Sequence, residues 1–150
     1  MLKLILNKKY NPLFSSDARY FIITGGRGSG KSFAVTVFLT LLTMTKGIRI
    51  LFTRYTMTSA HLSIIPEFLE KIGLLGFDEV FSINKAEVVN TSNQSDILFR
   101  GIRTSAGNQT ASLKSLQGIS TWVLDEAEEL VDENIFDTID LSIREKNIHN

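Results

Sequence analysis

The sequence predicts an α/β fold with a mainly parallel central sheet. Short apolar, β-branched segments alternate with longer segments of helical periodicity, and a glycine-rich turn joins the first such segment to the first helix. Strands that alternate with helices form parallel sheets, because each helix returns the chain to the same end of the sheet. A chain of 150 residues is expected to form one such domain.

The first half is predicted to contain two strand–helix units. The run RYFIITGG (19–26) is typical of a buried strand, and KSFAVTVFLTLLTMTK (31–46) of a largely buried helix. The run IRILFTR (48–54) is the second predicted strand. The second helix is predicted over 59–73, with Pro66 as a position where it can kink or break.

The second half is predicted to contain a β-hairpin, a long loop, a strand and a last helix. The segments AEVVN and DILFR, joined by polar TSNQS, predict the hairpin over 86–100. The polar, glycine-containing stretch 101–118 is predicted to be a surface loop, and loops of this length are often functional. The run STWVL opens the last strand, and Asp132 suits the N-cap of a helix from Glu133 to Arg144.

The composition excludes several kinds of site. The chain has no cysteine, which excludes disulfides, thiolate catalysis and cysteine-bound zinc, and its two histidines, His61 and His149, lack the spacing of metal ligands. The 16 Lys and Arg residues balance the 16 Asp and Glu residues, so no overall charge attracts nucleic acid. No apolar run approaches the ~20 residues of a membrane span. We therefore expect a soluble cytoplasmic protein without a membrane partner.

The segment ITGGRGSGKSF (23–33) carries a phosphate-binding pattern. Its glycines, Lys31 and Ser32 match G-x-x-x-x-G-K-[ST], the P-loop, in which backbone N–H groups and a helix N-terminus bind phosphate. Lys31 is expected at the β- and γ-phosphates, and the Ser32 hydroxyl at Mg²⁺. The preceding strand and following helix favour nucleotide binding over a glycine turn that merely caps a helix. The predicted ATP-contacting residues of this loop are Gly25, Gly26, Arg27, Gly28, Ser29, Gly30, Lys31 and Ser32.

The segment TWVLDEAEE (121–129) contains a second group of candidate site residues. An Asp at the end of a strand holds Mg²⁺ in P-loop proteins, which is the Walker B role, and Asp125 occupies that position. The adjacent Glu126 is placed to polarise a water for attack on the γ-phosphate. The alternative is a solvated acidic helix start, to which we assign Glu128 and Glu129. The two groups of residues together predict Mg²⁺-dependent hydrolysis of a nucleoside triphosphate.

Two arginines are further candidates. Arg27 lies inside the P-loop, where it can stabilise transition-state charge on the γ-phosphate in cis. Arg54 ends the second predicted strand, at the edge of the sheet where ligands bind, and is a candidate ATP contact. The alternatives are an exposed loop arginine for Arg27 and a surface ion pair for Arg54.

Together these residues resemble the ATPase domain of the large terminase subunit, the DNA-packaging motor of tailed bacteriophages. The resemblance covers nearly the whole chain. Its most specific part is KSLQGI (114–119), which leads into the segment with the acidic pair Asp125 and Glu126. The other matching segments are NPLF (11–14), GGRGSGKS (25–32), ILFTR (50–54) and LFRGIR (98–103). The resemblance implies a RecA-like P-loop ATPase fold, a three-layer sandwich with a mainly parallel sheet and a β-hairpin.

The resemblance also implies an activity and partners. It implies ATP hydrolysis that drives double-stranded DNA into a procapsid, by a homo-oligomeric ring on the portal, with a small terminase subunit as partner, in the cytoplasm of the infected host. It assigns catalysis to Glu126, Arg27 and Lys31, and Mg²⁺ binding to Ser32 and Asp125. Candidates for a finger acting on a neighbour's ATP are Lys114 and Arg103, and adenine contacts fall to Asn11 and Pro12.

One departure separates this chain from the family pattern. Family proteins continue with a strand that lies in the sheet between the P-loop strand and the Walker B strand, and then with a nuclease domain. This chain ends at Asn150, before both, so we expect residues 1–150 to be a P-loop ATPase domain lacking its C-terminal part and any nuclease activity. Two alternatives remain: another RecA-like ATPase of the helicase or recombination type, and a nucleotide-binding module without turnover.

Overall fold

The computed structural model describes residues 4–57, 60–104, 107–108, 113 and 116–147. The helices are α1 (Pro12–Ser15), α2 (Lys31–Leu42), α3 (Ala60–Leu74) and α4 (Glu133–Asn147). The strands are β1 (Arg49–Thr56), β2 (Phe81–Ile83), β3 (Glu87–Asn90), β4 (Asp96–Thr104), β5 (Gly107–Asn108) and β6 (Thr121–Leu124). Short 3-10 turns cover Lys8–Tyr10 and Ala127–Glu129. Among these helices none has the length and apolar character needed to cross a bilayer.

The strands form one mixed sheet in the order β2-β3-β4-β1-β6, with β5 added to β4. Strand β1 lies between β4 and β6 and pairs in parallel with both. The pairs β2–β3, β3–β4 and β4–β5 are antiparallel. The predicted α/β class, parallel core and hairpin are therefore confirmed, and β2 is an additional strand that the sequence analysis missed.

Helices cover both faces of the sheet because the side chains of β1 alternate between two apolar clusters. Ile50 and Phe52 face the cluster formed with α2 and α3, which includes Leu39 and Phe68. Leu51 faces the opposite cluster, to which α4 contributes Ile135 and Ile139. All seven side chains are at most 8% exposed, so the sheet is buried between two helical layers.

The first predicted strand is wrong in this structure. Residues 20–26 form no strand, and Ile22 is 91% exposed. The Tyr20 hydroxyl instead donates to the carboxylate of Asp140 on α4, at 3.0 and 3.1 Å. A strand needs a hydrogen-bonded neighbour. Within the described part of the chain, β6 pairs with β1 and no strand pairs with its other side.

The first two long helices differ from the prediction in two places, at the end of α2 and at Pro66 inside α3. Helix α2 stops at Leu42 rather than at residue 46, because side chains of the hairpin turn donate hydrogen bonds to the backbone carbonyls that follow Leu42. The Asn93 side-chain amide, for example, donates to Thr43 O at 3.0 Å. Helix α3 continues through Pro66 without a break. Pro66 lies on the exposed face, where water can satisfy the carbonyl that loses its amide partner.

The second half follows the predicted order with one correction. The stretch 101–118 is not entirely a surface loop, because β4 extends to Thr104, β5 pairs with it, and Leu113 is buried. Apolar Ile102 continues the strand into the second cluster, which explains this extension. The N-cap prediction for α4 is confirmed, since the Asn134 amide donates to Asp132 Oδ1 at 3.0 Å.

Candidate functional site

The predicted P-loop forms a bent, glycine-rich entry into α2. Gly25, Gly28 and Gly30 have positive φ angles of 149°, 77° and 79°. Gly30 is the N-cap of α2, so the chain reverses directly before the first helical turn. Residues 26–33 line an open pocket of about 280 Å³. Backbone N–H groups at a helix N-terminus, beside an open pocket, are suited to bind an anion such as phosphate.

The N-terminal segment contacts both the loop and helix α2. The hydroxyl of Tyr10, a side chain only 6% exposed, donates to the backbone oxygen of Ser29 at 2.9 Å. Phe14 of α1 packs edge-on against Phe38 of α2, with ring centroids 5.2 Å apart. The sequence analysis assigned no role to Tyr10, although a large aromatic residue directly before the predicted adenine contacts is a signal that could have found it.

The side chain of Lys31 folds back over the loop and donates to the backbone oxygen of Gly25. This contact keeps the ammonium group within the loop that lines the pocket. Ser32 follows it in the first turn of α2 and also lines the pocket. Arg27 lies exposed on the same pocket wall, and within the described part of the chain it makes no hydrogen bond or ion pair.

The acidic pair lies where β6 ends. The Asp125 amide donates to Thr53 O of β1 at 2.8 Å, which continues the pairing of the two strands by one residue. Glu126 then adopts a left-handed conformation, with φ 54° and ψ 47°. Such a conformation costs a non-glycine residue about 1 kcal/mol, and residues held in this way cluster at functional sites. The sharp turn presents both carboxylates at the end of the sheet.

Arg54 of β1 binds this acidic pair directly. Its Nη2 and Nε atoms lie 2.7 and 2.8 Å from Asp125 Oδ2, and Nε lies 3.7 Å from Glu126 Oε2. The three side chains are 26%, 35% and 47% exposed, in the order Arg54, Asp125 and Glu126. The structure therefore brings Arg54 against the adjacent pair Asp125 and Glu126, which lies far from it in the sequence.

A buried hydrogen-bond chain fixes the backbone next to this ion pair. The indole of Trp122 donates to Thr53 Oγ1 at 2.9 Å, and the Thr53 hydroxyl donates to Val123 O at 2.9 Å. The Thr53 residue is fully buried, and Trp122 also packs against Phe136 of α4, with ring centroids 5.1 Å apart. Sequence reasoning missed Thr53 and Trp122, whose only signal is their position beside the candidate residues Arg54 and Asp125.

The remaining candidates are spread around these two groups. Asn11 borders an open cleft of about 430 Å³ with Leu4, Leu6, Phe14 and Ser15, and Pro12 follows it as the first residue of α1. Arg103 lies exposed near the carboxyl end of β4, where it pairs with Thr56 of β1 in register. Lys114 and His149 lie outside the described residues.

The P-loop and the acidic pair form separate groups in this structure. Within the described residues, no hydrogen bond or ion pair joins Arg54, Asp125 or Glu126 to residues 25–32. Nor does any group of three or more His, Asp or Glu side chains in that part of the chain form a cage for a metal. A metal at Asp125 would therefore take its other ligands from elsewhere, such as a hydroxyl, water molecules and, when nucleotide is bound, phosphate oxygens, which is the usual arrangement for Mg²⁺.

The comparisons with known proteins identify the family. A family model described as phage terminase large subunit matches residues 17–150. The chain belongs to the phage terminase large-subunit family. This confirms the resemblance drawn from the sequence.

One curated member of that family allows the extent of the match to be measured. The large terminase subunit of Bacillus phage SPP1 is 24% identical, in an alignment that covers 90% of this chain and 34% of that protein. The chain thus spans about a third of that relative's length.

Proposed function

We propose that this chain is an ATP-hydrolysing part of a phage DNA-packaging motor. The observation that carries the proposal is the P-loop, whose left-handed Gly30 opens α2 and whose lysine folds over a pocket at the helix N-terminus. This arrangement suits the β- and γ-phosphates of a nucleotide. Membership of the terminase large-subunit family supports ATP as the nucleotide and packaging as the process.

The proposed chemistry divides among four residues. Lys31 neutralises charge on the β- and γ-phosphates, and the Ser32 hydroxyl and the Asp125 carboxylate hold Mg²⁺. Glu126 accepts a proton from the attacking water. The donor chemistry fits the metal, because the residues supply hard oxygen ligands and Oδ1 of Asp125 has no hydrogen-bond partner in the described structure. When bound, Mg²⁺ would neutralise phosphate charge as it develops.

Further contacts follow from position. Arg27, exposed on the pocket wall, is proposed to reach the γ-phosphate. The open cleft beside Asn11 and Pro12 is proposed to receive the adenine, since the Asn11 side-chain amide forms no hydrogen bond in the described structure. Arg103 and Lys114 remain proposed fingers toward a neighbouring subunit in a ring.

The partners belong to the whole protein and are proposed from the family alone. They are double-stranded DNA, the portal of the procapsid, a small terminase subunit and further copies of the chain in a ring. The site of action would be the cytoplasm of an infected bacterium. Packaging by the intact protein into procapsids separates this role from that of a helicase-type ATPase, which DNA-stimulated hydrolysis alone does not.

Nucleotide binding without turnover is a second candidate, favoured by one observation. Arg54 engages Asp125, and the acidic pair makes no described contact with the P-loop. In this arrangement the glycine-rich loop is formed, whereas Arg54 holds Oδ2 of the carboxylate that is proposed to bind the metal. The test must therefore measure binding and turnover separately.

The test compares ATP binding and steady-state ATP hydrolysis of the parent chain with Lys31→Ala and Glu126→Gln, with and without double-stranded DNA. We expect Lys31→Ala to weaken ATP binding. Glu126→Gln should retain binding and lower the turnover rate about 100-fold or more, because a general base typically contributes that factor. Circular dichroism establishes that each variant is folded.

Glu128→Gln is the matched control, because Glu128 is an exposed residue of the turn that follows Glu126. It should leave both measurements unchanged. ATP binding without turnover by the parent chain would favour the binding module. Absence of ATP binding by a folded parent chain would contradict both candidates.

A further inference from the structure

Strand β1 carries an arginine ion pair near each end. At its start, Arg49 binds Asp96 of the neighbouring β4, with Nη2 3.1 Å from Oδ2. Near its end, Arg54 binds Asp125, which follows β6 on the other side. The first pair lies at the edge of the sheet remote from the candidate site. The second occupies a residue that the proposed function assigns to a metal ion.

The contact between Arg54 and Asp125 is concentrated on one oxygen atom. Both Nε and Nη2 of the guanidinium approach Asp125 Oδ2, and Nε also faces Glu126 Oε2 at 3.7 Å. One positive charge is therefore shared between two carboxylates at the end of the sheet. In this arrangement the guanidinium supplies the neutralising charge that a divalent cation at Asp125 would otherwise supply.

We propose that Arg54 is an internal counter-ion of the Asp125 carboxylate that a divalent metal ion displaces when it binds. This inference rests on the proposed function, which places the metal at Asp125. It gives Arg54 a role different from the ATP contact that the sequence suggested. Arg54 is a positioning residue, since it acts through Asp125 and not on the nucleotide.

The exposure of the pair suits a contact that can be reversed. Arg54 and Asp125 side chains are 26% and 35% exposed, so water can solvate both groups when they separate. Ion pairs in such partly exposed positions bias an equilibrium by a factor of about five or less. A fully buried pair would be far more costly to break. A metal ion that binds Asp125 must therefore compete with an ion pair of modest strength.

The surrounding backbone does not need to move for this exchange. Thr53, next to Arg54, is fully buried, and its hydroxyl links Trp122 to Val123. The Asp125 amide is bonded to Thr53 O. Rotation of the Arg54 side chain alone can release Asp125 Oδ2, so the proposed displacement is a local event.

The experiment measures Mn²⁺ binding to the nucleotide-free chain by electron paramagnetic resonance of the free ion. Three proteins are compared: the parent chain, Arg54→Gln and Arg49→Gln. We expect Arg54→Gln to bind Mn²⁺ about fivefold more tightly than the parent, because the competing charge is gone. Arg49→Gln removes the same chemical group from the same strand and should leave the Mn²⁺ affinity unchanged.

A double-mutant cycle with Asp125→Asn locates the effect. The gain from Arg54→Gln should disappear in the Asp125→Asn background. Unchanged or weaker Mn²⁺ binding by Arg54→Gln, while Asp125→Asn still lowers the affinity, overturns the inference and leaves the proposed metal site standing. If Asp125→Asn has no effect on Mn²⁺ binding in the parent, both the inference and the proposed role of Asp125 are wrong.

Discussion

At the scale of single residues, Gly30 is the glycine whose backbone conformation opens α2. Its φ of 79° places it in the left-handed region immediately before α2. A Cβ at this position would meet only Tyr10, at 4.0 Å, so the cost of Gly30→Ala comes from the backbone and not from a clash. We predict a loss of about 1 kcal/mol in the free energy of unfolding, measured by urea denaturation.

Gly26→Ala is the matched control within the same loop. Gly26 does not have a positive φ, and a Cβ there would meet no atom within 4 Å. We expect its free energy of unfolding to stay within about 0.5 kcal/mol of the parent value. Equal losses for the two variants would contradict the assignment of strain to Gly30.

At the scale of elements, the hairpin turn fixes the C-terminus of the P-loop helix. Asn90 is fully buried, and its amide donates to Thr43 O at 3.1 Å. Asn93 donates to the carbonyls of Thr43 and Met44 at 3.0 and 3.1 Å. Ser95 Oγ donates to Thr45 O at 2.7 Å. The backbone carbonyls of the three residues that follow α2 thus accept hydrogen bonds from side chains of β3 and the turn after it.

We predict that Asn90→Ala lowers the free energy of unfolding by about 2 kcal/mol. The substitution leaves the amide of Ser92, which donates to Asn90 Oδ1 at 3.0 Å, without its partner in a partly buried position. Thermal or urea denaturation followed by circular dichroism measures the change. The control is Asn84→Ala, because Asn84 is an exposed asparagine that makes comparable turn contacts with Ala86 and Glu87.

The control should lose less than about 1 kcal/mol, since water can replace hydrogen bonds at an exposed position. A smaller loss for Asn90→Ala than for Asn84→Ala would mean that the contact between the hairpin turn and α2 contributes little to stability.

At the scale of the whole molecule, the sheet is well formed on one side of β6 and open on the other. Strand β6 pairs with β1, and no described strand lies along its outer edge. The apolar segment 21–25 runs outside the sheet, and its backbone N–H groups find no partner among the described residues. Protection of backbone amides against hydrogen exchange should therefore differ sharply between the paired strands and segment 21–25.

We predict that amides of residues 21–25 exchange with solvent deuterium almost without protection, whereas those of Ile50, Leu51 and Phe52 are among the slowest. These three residues are at most 6% exposed and lie between two paired strands. Hydrogen exchange read by mass spectrometry of peptides tests this. Equal protection of the two segments would show that 21–25 joins a sheet in solution, as the sequence predicted.

Local chemistry explains which predictions succeeded. The glycine turn that opens α2, the strand β1 and the Asp132 cap depend on residues near one another in the chain, and each lies where the sequence predicted it. The end of α2 was predicted incorrectly, because it depends on Asn93 of a hairpin about fifty residues away. The segment 19–26 has the composition of a strand, but composition does not supply a neighbour to pair with.

The sequence alone determined the fold class, the glycine-rich loop before α2 and the acidic pair, because helical and strand periodicity and turn chemistry are local properties. It also carried the resemblance that the family match bears out. Only the tertiary structure decided that Arg54 binds Asp125, 71 residues away. That contact depends on the register of β1 against β6, in which Thr53 lies opposite Leu124. Register is a property of two packed strands, and neither strand's sequence specifies it alone.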